Sequence, residues 1–311
     1  MSSKALLVVF GATGNQGGSV AHTVLDDAEL SQRYSVRAIT RDVNNPKAQA
    51  LKSKGAQVVQ ADLADASTLS AALQGAAFVF AITTTHPLRR GREARSRVHH
   101  LELHVAPGQD LRGETHPRRP LRRQGRDETY IRALPIKAAF FAPGSFYQNV
   151  YTHMAPRPSH TDDGTYVLAG LAKPTSTLIP MLDIAETGSW VGAILAAPDE
   201  YAGKFLAAAH ALYSYEQIAH IMSSVSGKTV VYRQLPDDVV RGFLPEGFRE
   251  QLFEMNLFFR DHGYYGPAMR EHVEWARQQT RGPVTGLEDF LTKDGRVHGM
   301  AWEMVPSGVE G

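Results

Sequence analysis

The chain has 311 residues, 43% hydrophobic and 21% charged, with a formal net charge of +1 at pH 7. That length supports one large or two modest domains with a sizeable core, and the composition excludes disordered and collagen-like classes. The absence of Cys excludes a disulfide framework, thiolate metal ligands and a cysteine nucleophile.

Met1-Ser2-Ser3-Lys4 leads straight into an apolar strand too short for a signal core or a membrane span. A cytoplasmic location without membrane association is therefore expected, the nucleus also being open. Ala5 to Phe10 is a short, β-branched, uninterrupted apolar run and reads as a buried strand. It stops at Gly11, and a helical pattern with Val20, Val24 and Leu25 on one face begins near Gln16. Between them lies Gly11-Ala12-Thr13-Gly14-Asn15-Gln16-Gly17. A strand, a glycine turn and a helix form the setting in which a phosphate sits on free backbone N–H groups. The spacing is G-x-x-G-x-x-G rather than the G-x-G-x-x-G of the standard dinucleotide fingerprint. Gly11 permits a tight exit from the strand, Gly14 lets a pyrophosphate approach the backbone, and Gly17 lets the helix pack closely on the sheet. The plainer reading is a glycine-rich turn that only joins strand to helix.

Ser35 to Thr40 alternates as a second strand and ends at Arg41-Asp42. This is where a nucleotide-binding fold reads the ribose 2′ position. The Arg41 guanidinium suits a 2′-phosphate and favours NADP, while Asp42 keeps NAD open. Pro46 to Lys54 reads as a helix closed by Gly55, and Gln57 to Ala61 as a third strand. Asp62, followed by Leu63, is placed to accept from an adenine amino group, and Asp65 to cap a helix over Ala66–Leu73. Ala77 to Ile82 is the fourth buried strand, and Thr83 lies at its carboxyl end with Thr84 and Thr85, in the crevice where ligands bind. The order β-α-β-α-β-α-β indicates an α/β fold of Rossmann type, a doubly wound parallel sheet.

These residues carry a resemblance. Val8 to Val20, Val36 to Asp42, Gly55 to Leu63 and the Thr83 loop resemble the NmrA-like family, a branch of the atypical short-chain dehydrogenases. So do Ile131 to Ile136, Ala142 to Asn149, Pro180 to Ile184, Phe248 to Leu252 and Leu287 to Leu291. The resemblance covers nearly the whole chain except 86–128. It implies an NADP-binding Rossmann domain and a small carboxyl-terminal lobe, as in NADP-sensing regulators and fungal oxidoreductases.

The exception is chemically odd. Residues 86–128 hold eleven of the 24 Arg, five of the 13 His and no Lys, against six Asp and Glu. Here the family supplies a central strand and a helix carrying a lysine near the nicotinamide; this tract shows no continuous apolar strand and no sustained helical period. As a loop it is far longer than is usual within a compact domain. A nucleic-acid interface is not expected, since Arg is interspersed with Pro and Gly and no aromatic is present for stacking. A shifted reading frame accounts for an Arg-rich, Lys-free tract. Synonymous codons for His99 to Glu128, read from the second base, permit a translation that begins Ile-Ile-Trp-Ser-Ser and ends His-Phe-Asp-Gly-Lys-Ala-Glu-Met. The coding DNA across codons 80–130 decides between that origin and a divergent basic loop.

The second half begins with a strand over Ile136–Phe141, broken by Pro143-Gly144. Phe146, Tyr147, Gln148 and Asn149 follow on the ligand side of the sheet, where aromatic faces and an amide suit a nicotinamide ring. The alternative is a helix start that only seals the core; for Tyr147 itself, packing against the cofactor is expected. Asp183 to Ala196 is an amphipathic helix with Asp183 as its N-cap. His210 is expected to be packed or solvated. Tyr215 to Ser224 reads as a helix and Thr229 to Arg233 as a strand. Phe248 to Phe259 is apolar on more than one side and reads as a core helix, the alternative being a lining of the substrate pocket. Glu271, His272 and Glu274 lack a partner cluster, so no metal site is expected.

The resulting expectations are a dinucleotide-binding domain over 1–150 and an interleaved substrate-side lobe over 151–311. The cofactor is NADP, with NAD possible; the catalytic residues are not identified. The partner is a small-molecule substrate, a carbonyl or enone, or else a regulatory protein such as a transcription factor whose activity follows the redox state of the bound cofactor. The chain is expected to be a monomer or homodimer.

Overall fold

The computed structural model describes residues 3–63, 65–83, 100–105, 131–161 and 163–293. The chain divides into two compact units, Met1–Pro143 with Ile184–Leu206 and Gln278–Pro283, and Gly144–Asp183 with Ala207–Arg277 and Val284–Gly311.

The first unit is built on the sheet that the sequence pattern anticipates. Its strands are β1 (Ala5–Val9), β2 (Tyr34–Thr40), β3 (Gln57–Gln60), β4 (Phe78–Thr83), β5 (His100–Val105) and β6 (Lys137–Pro143), with β11 (Phe205–Ala208) at one edge. The order across the sheet is β11-β6-β5-β4-β1-β2-β3. β1 lies at the centre of the nucleotide-type half, parallel to β2 and β4, and β2 is parallel to β3. Leu7, Val8 and Val9 are wholly buried, as a strand covered on both faces requires.

One expectation is corrected. The tract 86–128 does contain a strand, and the sheet is not wholly parallel: β5 runs antiparallel to both β4 and β6. A search for a continuous apolar run overlooks it, because His100-Leu101-Glu102-Leu103-His104-Val105 alternates instead. A slot between two strands offers backbone partners on both sides, and period-two alternation meets that geometry without a continuous run. The rest of that tract, with Thr84 and Thr85, lies outside the described residues.

Helices α1 (Asn15–Asp26), α2 (Leu30–Arg33), α3 (Pro46–Ser53) and α4 (Ala66–Leu73) join these strands, and α5 (Thr187–Ala196) packs on α1. The α1–α5 approach is close. The Ser19 hydroxyl donates to the Ala185 carbonyl at 2.5 Å and accepts from the Gly188 N–H at 2.8 Å. A Cβ on Gly188 would overlap the Thr23 hydroxyl and come within 2.7 Å of the Ser19 carbonyl. As expected, Asp65 caps α4 by accepting from the Ser67 N–H at 3.0 Å.

A late segment of chain is pinned to this unit by charge. Arg281 donates to both carboxylate oxygens of Asp27, at 2.6 and 2.9 Å, and to Glu29 at 2.8 Å. Asp27 also accepts from the N–H groups of Glu29 and Leu30 at the start of α2. The Arg281 bond, helped by those N–H groups and opposed by partial burial, holds the Asp27 carboxyl at about 2 rather than 3.8. A carboxyl lowered in the fold stabilises it above its unfolded value, and that contribution disappears as pH falls from about 4 towards 2. Arg281→Met is expected to cost about 1–3 kcal/mol at neutral pH and to flatten the acid limb of the stability curve. Urea unfolding at pH 7 and pH 3.5 checks this: an unchanged difference between the two pH values means that the pair does not set the acid response.

The second unit holds two three-stranded sheets, ordered β12-β10-β7 and β13-β9-β8. Their strands are β7 (Ser145–Phe146), β8 (Arg157–Pro158), β9 (Thr165–Gly170), β10 (Leu178–Leu182), β12 (Ala211–Ser214) and β13 (Thr229–Gln234). Helix α6 (Tyr215–Ser226) starts with a reciprocal capping box between Ser214 and Gln217. Ile218, Ala219 and Met222 of α6 join Tyr147, Met181 and Phe290 in the core of the unit. Helices α7 (Asp237–Phe243), α8 (Arg249–His262), α9 (Met269–Gln278) and α10 (Leu287–Lys293) complete the described chain.

The apolar stretch at 248–259 is not a core helix, which corrects a second expectation. No residue of α7 or α8 is buried, and Phe243 and Phe258 are 76% and 50% exposed. The two helices close on each other instead. Arg241 pairs with Glu250 and lies over the Phe253 ring, and Arg260 pairs with Asp237 at 2.7 Å. Among the described residues no helix is long and apolar enough to cross a membrane.

Candidate functional site

The glycine loop follows directly from β1. Phe10 donates its N–H to the Phe80 carbonyl at 2.9 Å, and Ala12 donates to the Ile39 carbonyl of β2 at 3.2 Å. Gly11 then takes φ +63°, a left-handed conformation in which a side chain would be strained. The Gly14 N–H returns to the Gly11 carbonyl at 2.8 Å, closing the turn. Gly14 occupies the N-cap position of α1, and no side chain caps it. The first-turn N–H groups of Asn15, Gln16 and Gly17 thus have no acceptor within the helix. Gly14 and Asn15 are exposed, Ala12, Gln16 and Gly17 buried, and Thr13 half-buried.

Gly17 is required by space. A Cβ there would overlap the Gly11 carbonyl oxygen and stand 2.6 Å from that of Phe10. At Gly14 a Cβ would lie 3.2 Å from the same Gly11 oxygen. The loop therefore brings backbone to backbone closely and leaves the first-turn N–H groups of α1 without a side-chain cap, a donor set suited to an anion at a helix N-terminus. The amide oxygen of Gln16, 4% exposed as a residue, has no hydrogen-bond partner among the described residues.

Arg41 and Asp42 are distinguished by the structure. The Asp42 carboxylate turns back on its own chain and accepts from the Asn44 N–H at 2.9 Å. Arg41 is exposed; its carbonyl accepts from Gln60 at 3.0 Å, while its guanidinium makes no hydrogen bond or ion pair with any described residue. Thr40 connects this turn to the glycine loop: its hydroxyl lies 3.3 Å from that of Thr13 and accepts from the Asp42 N–H at 3.2 Å. Thr40 does not emerge from sequence reasoning, since a threonine at a strand end carries no signal until its partner is known.

Asp62 and Leu63 follow β3. The Asp62 N–H donates to the Thr68 hydroxyl at 3.1 Å, and Leu63 presents an apolar surface that is 47% exposed. Thr83 ends β4. Since β1 to β4 are mutually parallel, the glycine loop, Arg41, Asp62, Leu63 and Thr83 all issue from one end of the sheet.

The four residues expected beside a nicotinamide belong to the second unit and separate into two pairs. Phe146 is buried, and Tyr147 is 0% exposed with its ring in the core and its hydroxyl donating to the Thr285 carbonyl at 3.2 Å. Tyr147 therefore has no surface for the expected cofactor packing, because the aromatic side chain serves the apolar interior first. Gln148 and Asn149 are half-buried. Gln148 donates to Asp183 at 2.6 Å, and Asn149 donates to the Ser145 hydroxyl at 2.9 Å. Asp183, the expected N-cap, stands immediately before the short turn that leads into the helix. A 3₁₀ turn over Ile184–Glu186 intervenes, and α5 starts at Thr187 with Glu186 in the cap position.

Comparison with known proteins gives a consistent set. A model of the NmrA-like family matches residues 3–98 and 126–291 and so omits the heart of the Arg-rich tract. The NmrA-like family domain-containing oxidoreductase cpsB of Aspergillus campestris is 28% identical over 276 residues, 79% of this chain and 80% of that protein. The oxidoreductase malD of Malbranchea aurantiaca, of the same description, is 26% identical over 94% of this chain and 97% of its own. Among solved structures, the negative transcriptional regulator NmrA in complex with NADP superposes with a TM-score of 0.67 at 18% identity, over 97% of this chain and 99% of that one. An NADPH-dependent quinone oxidoreductase of Escherichia coli superposes with a TM-score of 0.60 at 17% identity, over 93% and 99%. At these identities the structural likeness is one of fold.

Proposed function

The chain belongs to the NmrA-like family, and from that premise we propose that it is an NADP(H)-dependent oxidoreductase acting on a small carbonyl or enone substrate. The observation that carries the cofactor choice is the uncommitted Arg41 guanidinium at the strand end beside the glycine loop, with the neighbouring Asp42 carboxylate engaged by its own turn. The oxidoreductase reading is supported by the names of the relatives cpsB and malD.

The nicotinamide, when bound, supplies or takes up a hydride. Everything else falls to the chain. The N–H groups of Thr13, Asn15, Gln16 and Gly17 would hold the pyrophosphate against the positive end of α1, that of Gly14 being used to close the turn on Gly11. Arg41 would pair with the 2′-phosphate. Asp62 and Leu63 would meet the adenine, one by an acceptor and one by an apolar surface. Thr83, at the end of β4, is the proposed neighbour of the nicotinamide end within the first unit.

A second reading is favoured by one specific feature. The sequence contains no Tyr-x-x-x-Lys pair, the arrangement in which an ammonium lowers a tyrosine pKa for proton transfer. Binding of NADP(H) without turnover, read out by a protein partner, is the function consistent with that lack. Mixing the chain with NADPH and a panel of quinones, enones and aldehydes separates the two. Steady loss of NADPH absorbance with at least one substrate is expected. Saturable NADPH binding with no turnover, together with partner capture that follows the NADPH/NADP ratio, overturns the enzyme reading.

A further inference from the structure

The second unit holds a small polar network that the proposed chemistry does not use. His210 follows β11, with its backbone N–H on the Met181 carbonyl at 2.8 Å. Its Nδ1 lies 3.3 Å from the Tyr213 hydroxyl. That hydroxyl accepts from the Leu287 N–H at 3.2 Å, at the first residue of α10, and stands 3.4 Å from the Tyr147 hydroxyl. Tyr147 in turn donates to the Thr285 carbonyl. The imidazole lies against the backbone just before α10: a Cβ on Gly286 would stand 3.3 Å from His210 Cε1. The two phenols therefore hold Thr285 and Leu287 on either side of Gly286, and the imidazole reaches this entry to α10 through Tyr213.

Proton counting sets the directions. Tyr147 uses its one proton on Thr285, so it can only accept from Tyr213. With His210 neutral and protonated on Nε2, Tyr213 donates to Nδ1. With His210 charged, Nδ1 becomes a donor, and Tyr213 must accept from both the imidazolium and Leu287 while turning its own proton to Tyr147. The cation then faces the N–H end of α10 and the Arg277 guanidinium, with Asp289 of α10 as the one compensating charge among the described residues.

We propose that His210 is a pH-operated latch on α10: the neutral imidazole holds the helix entry, and protonation releases it. Burial first, and Arg277 second, hold the His210 pKa below its ordinary 6.5, against the opposite pull of Asp289. A histidine lowered in the fold favours the docked helix fully above the unfolded value. That advantage falls away as pH drops from about 6.5 to the folded pKa. Leu287, Phe290 and Leu291 are buried in the core of the unit, so release of α10 exposes apolar surface and is readily seen.

Amide hydrogen exchange on the full chain, corrected for intrinsic rates, tests this. Exchange across Leu287–Leu291 is expected to rise by about twofold or more between pH 7.5 and pH 5.5, as protons bind the imidazole more readily once the helix is released. Val8 and Val9 in the first unit stay protected. His210→Asn, which keeps a polar group near Tyr213 without titrating, removes the pH dependence. Two charge variants move it in opposite directions: Arg277→Gln makes the rise smaller and Asp289→Asn makes it larger. An undiminished rise in His210→Asn, or the same response in both charge variants, overturns the latch.

Discussion

Arg41→Ala is expected to weaken NADPH binding by about 10–100-fold and to leave NADH binding within about twofold. The loss corresponds to about 1.5–3 kcal/mol, the range for a hydrogen-bonded charge pair. It is confined to the phosphorylated cofactor because the guanidinium does not support the fold, making no bond or ion pair with any described residue. Removing it leaves no buried group unpaired, and the thermal stability of the protein without cofactor should not move. Titration of both cofactors against the wild type and the variant reads the result directly. Equal losses for NADPH and NADH place Arg41 outside the 2′ site, and no loss for either means that the exposed side chain is merely solvated. Asp42→Ala supplies the complementary test. Its carboxylate closes a turn through Asn44, so a small stability loss is expected with the NADPH preference retained.

Gly17→Ala is expected to act on both binding and stability. The added methyl would overlap the Gly11 carbonyl and press on that of Phe10, both backbone atoms that cannot rotate away. Relief requires α1 to move off the turn, at a cost of about 1–3 kcal/mol for overpacking a close contact. That movement displaces the first-turn N–H groups of α1, and NADPH affinity should fall by more than about tenfold. Gly247→Ala is the control, since a Cβ there meets nothing within 4 Å. Thermal melts and NADPH titrations of the two variants should diverge. A Gly17→Ala protein that melts and binds like the wild type would show that α1 does not need this approach.

Local physics explains which features are legible in the sequence. The strands around Leu7, Ile39 and Phe80, the left-handed turn at Gly11 and the cap at Asp65 depend on residues within a few positions of one another. Periodicity and turn chemistry report such features directly. β5 escapes such a reading because alternation in a polar tract resembles a loop until a slot between two strands supplies its partners. α8 escapes it because an apolar sequence shows how much surface wants cover without showing what provides it.

By itself the sequence determined the nucleotide-type half of the sheet, the glycine turn between β1 and α1 and the presence of a basic group at the end of the second strand. Each depends on short-range geometry, and so did the family resemblance built on them. The tertiary structure alone decided the pairings across long stretches of chain. Arg281 meets Asp27 across 254 positions, Gln148 donates to Asp183, and Tyr147 enters a core with Phe290. A carboxylate or a phenol can serve many partners, and the one it takes is set by which elements the folded chain brings within about 3 Å of it.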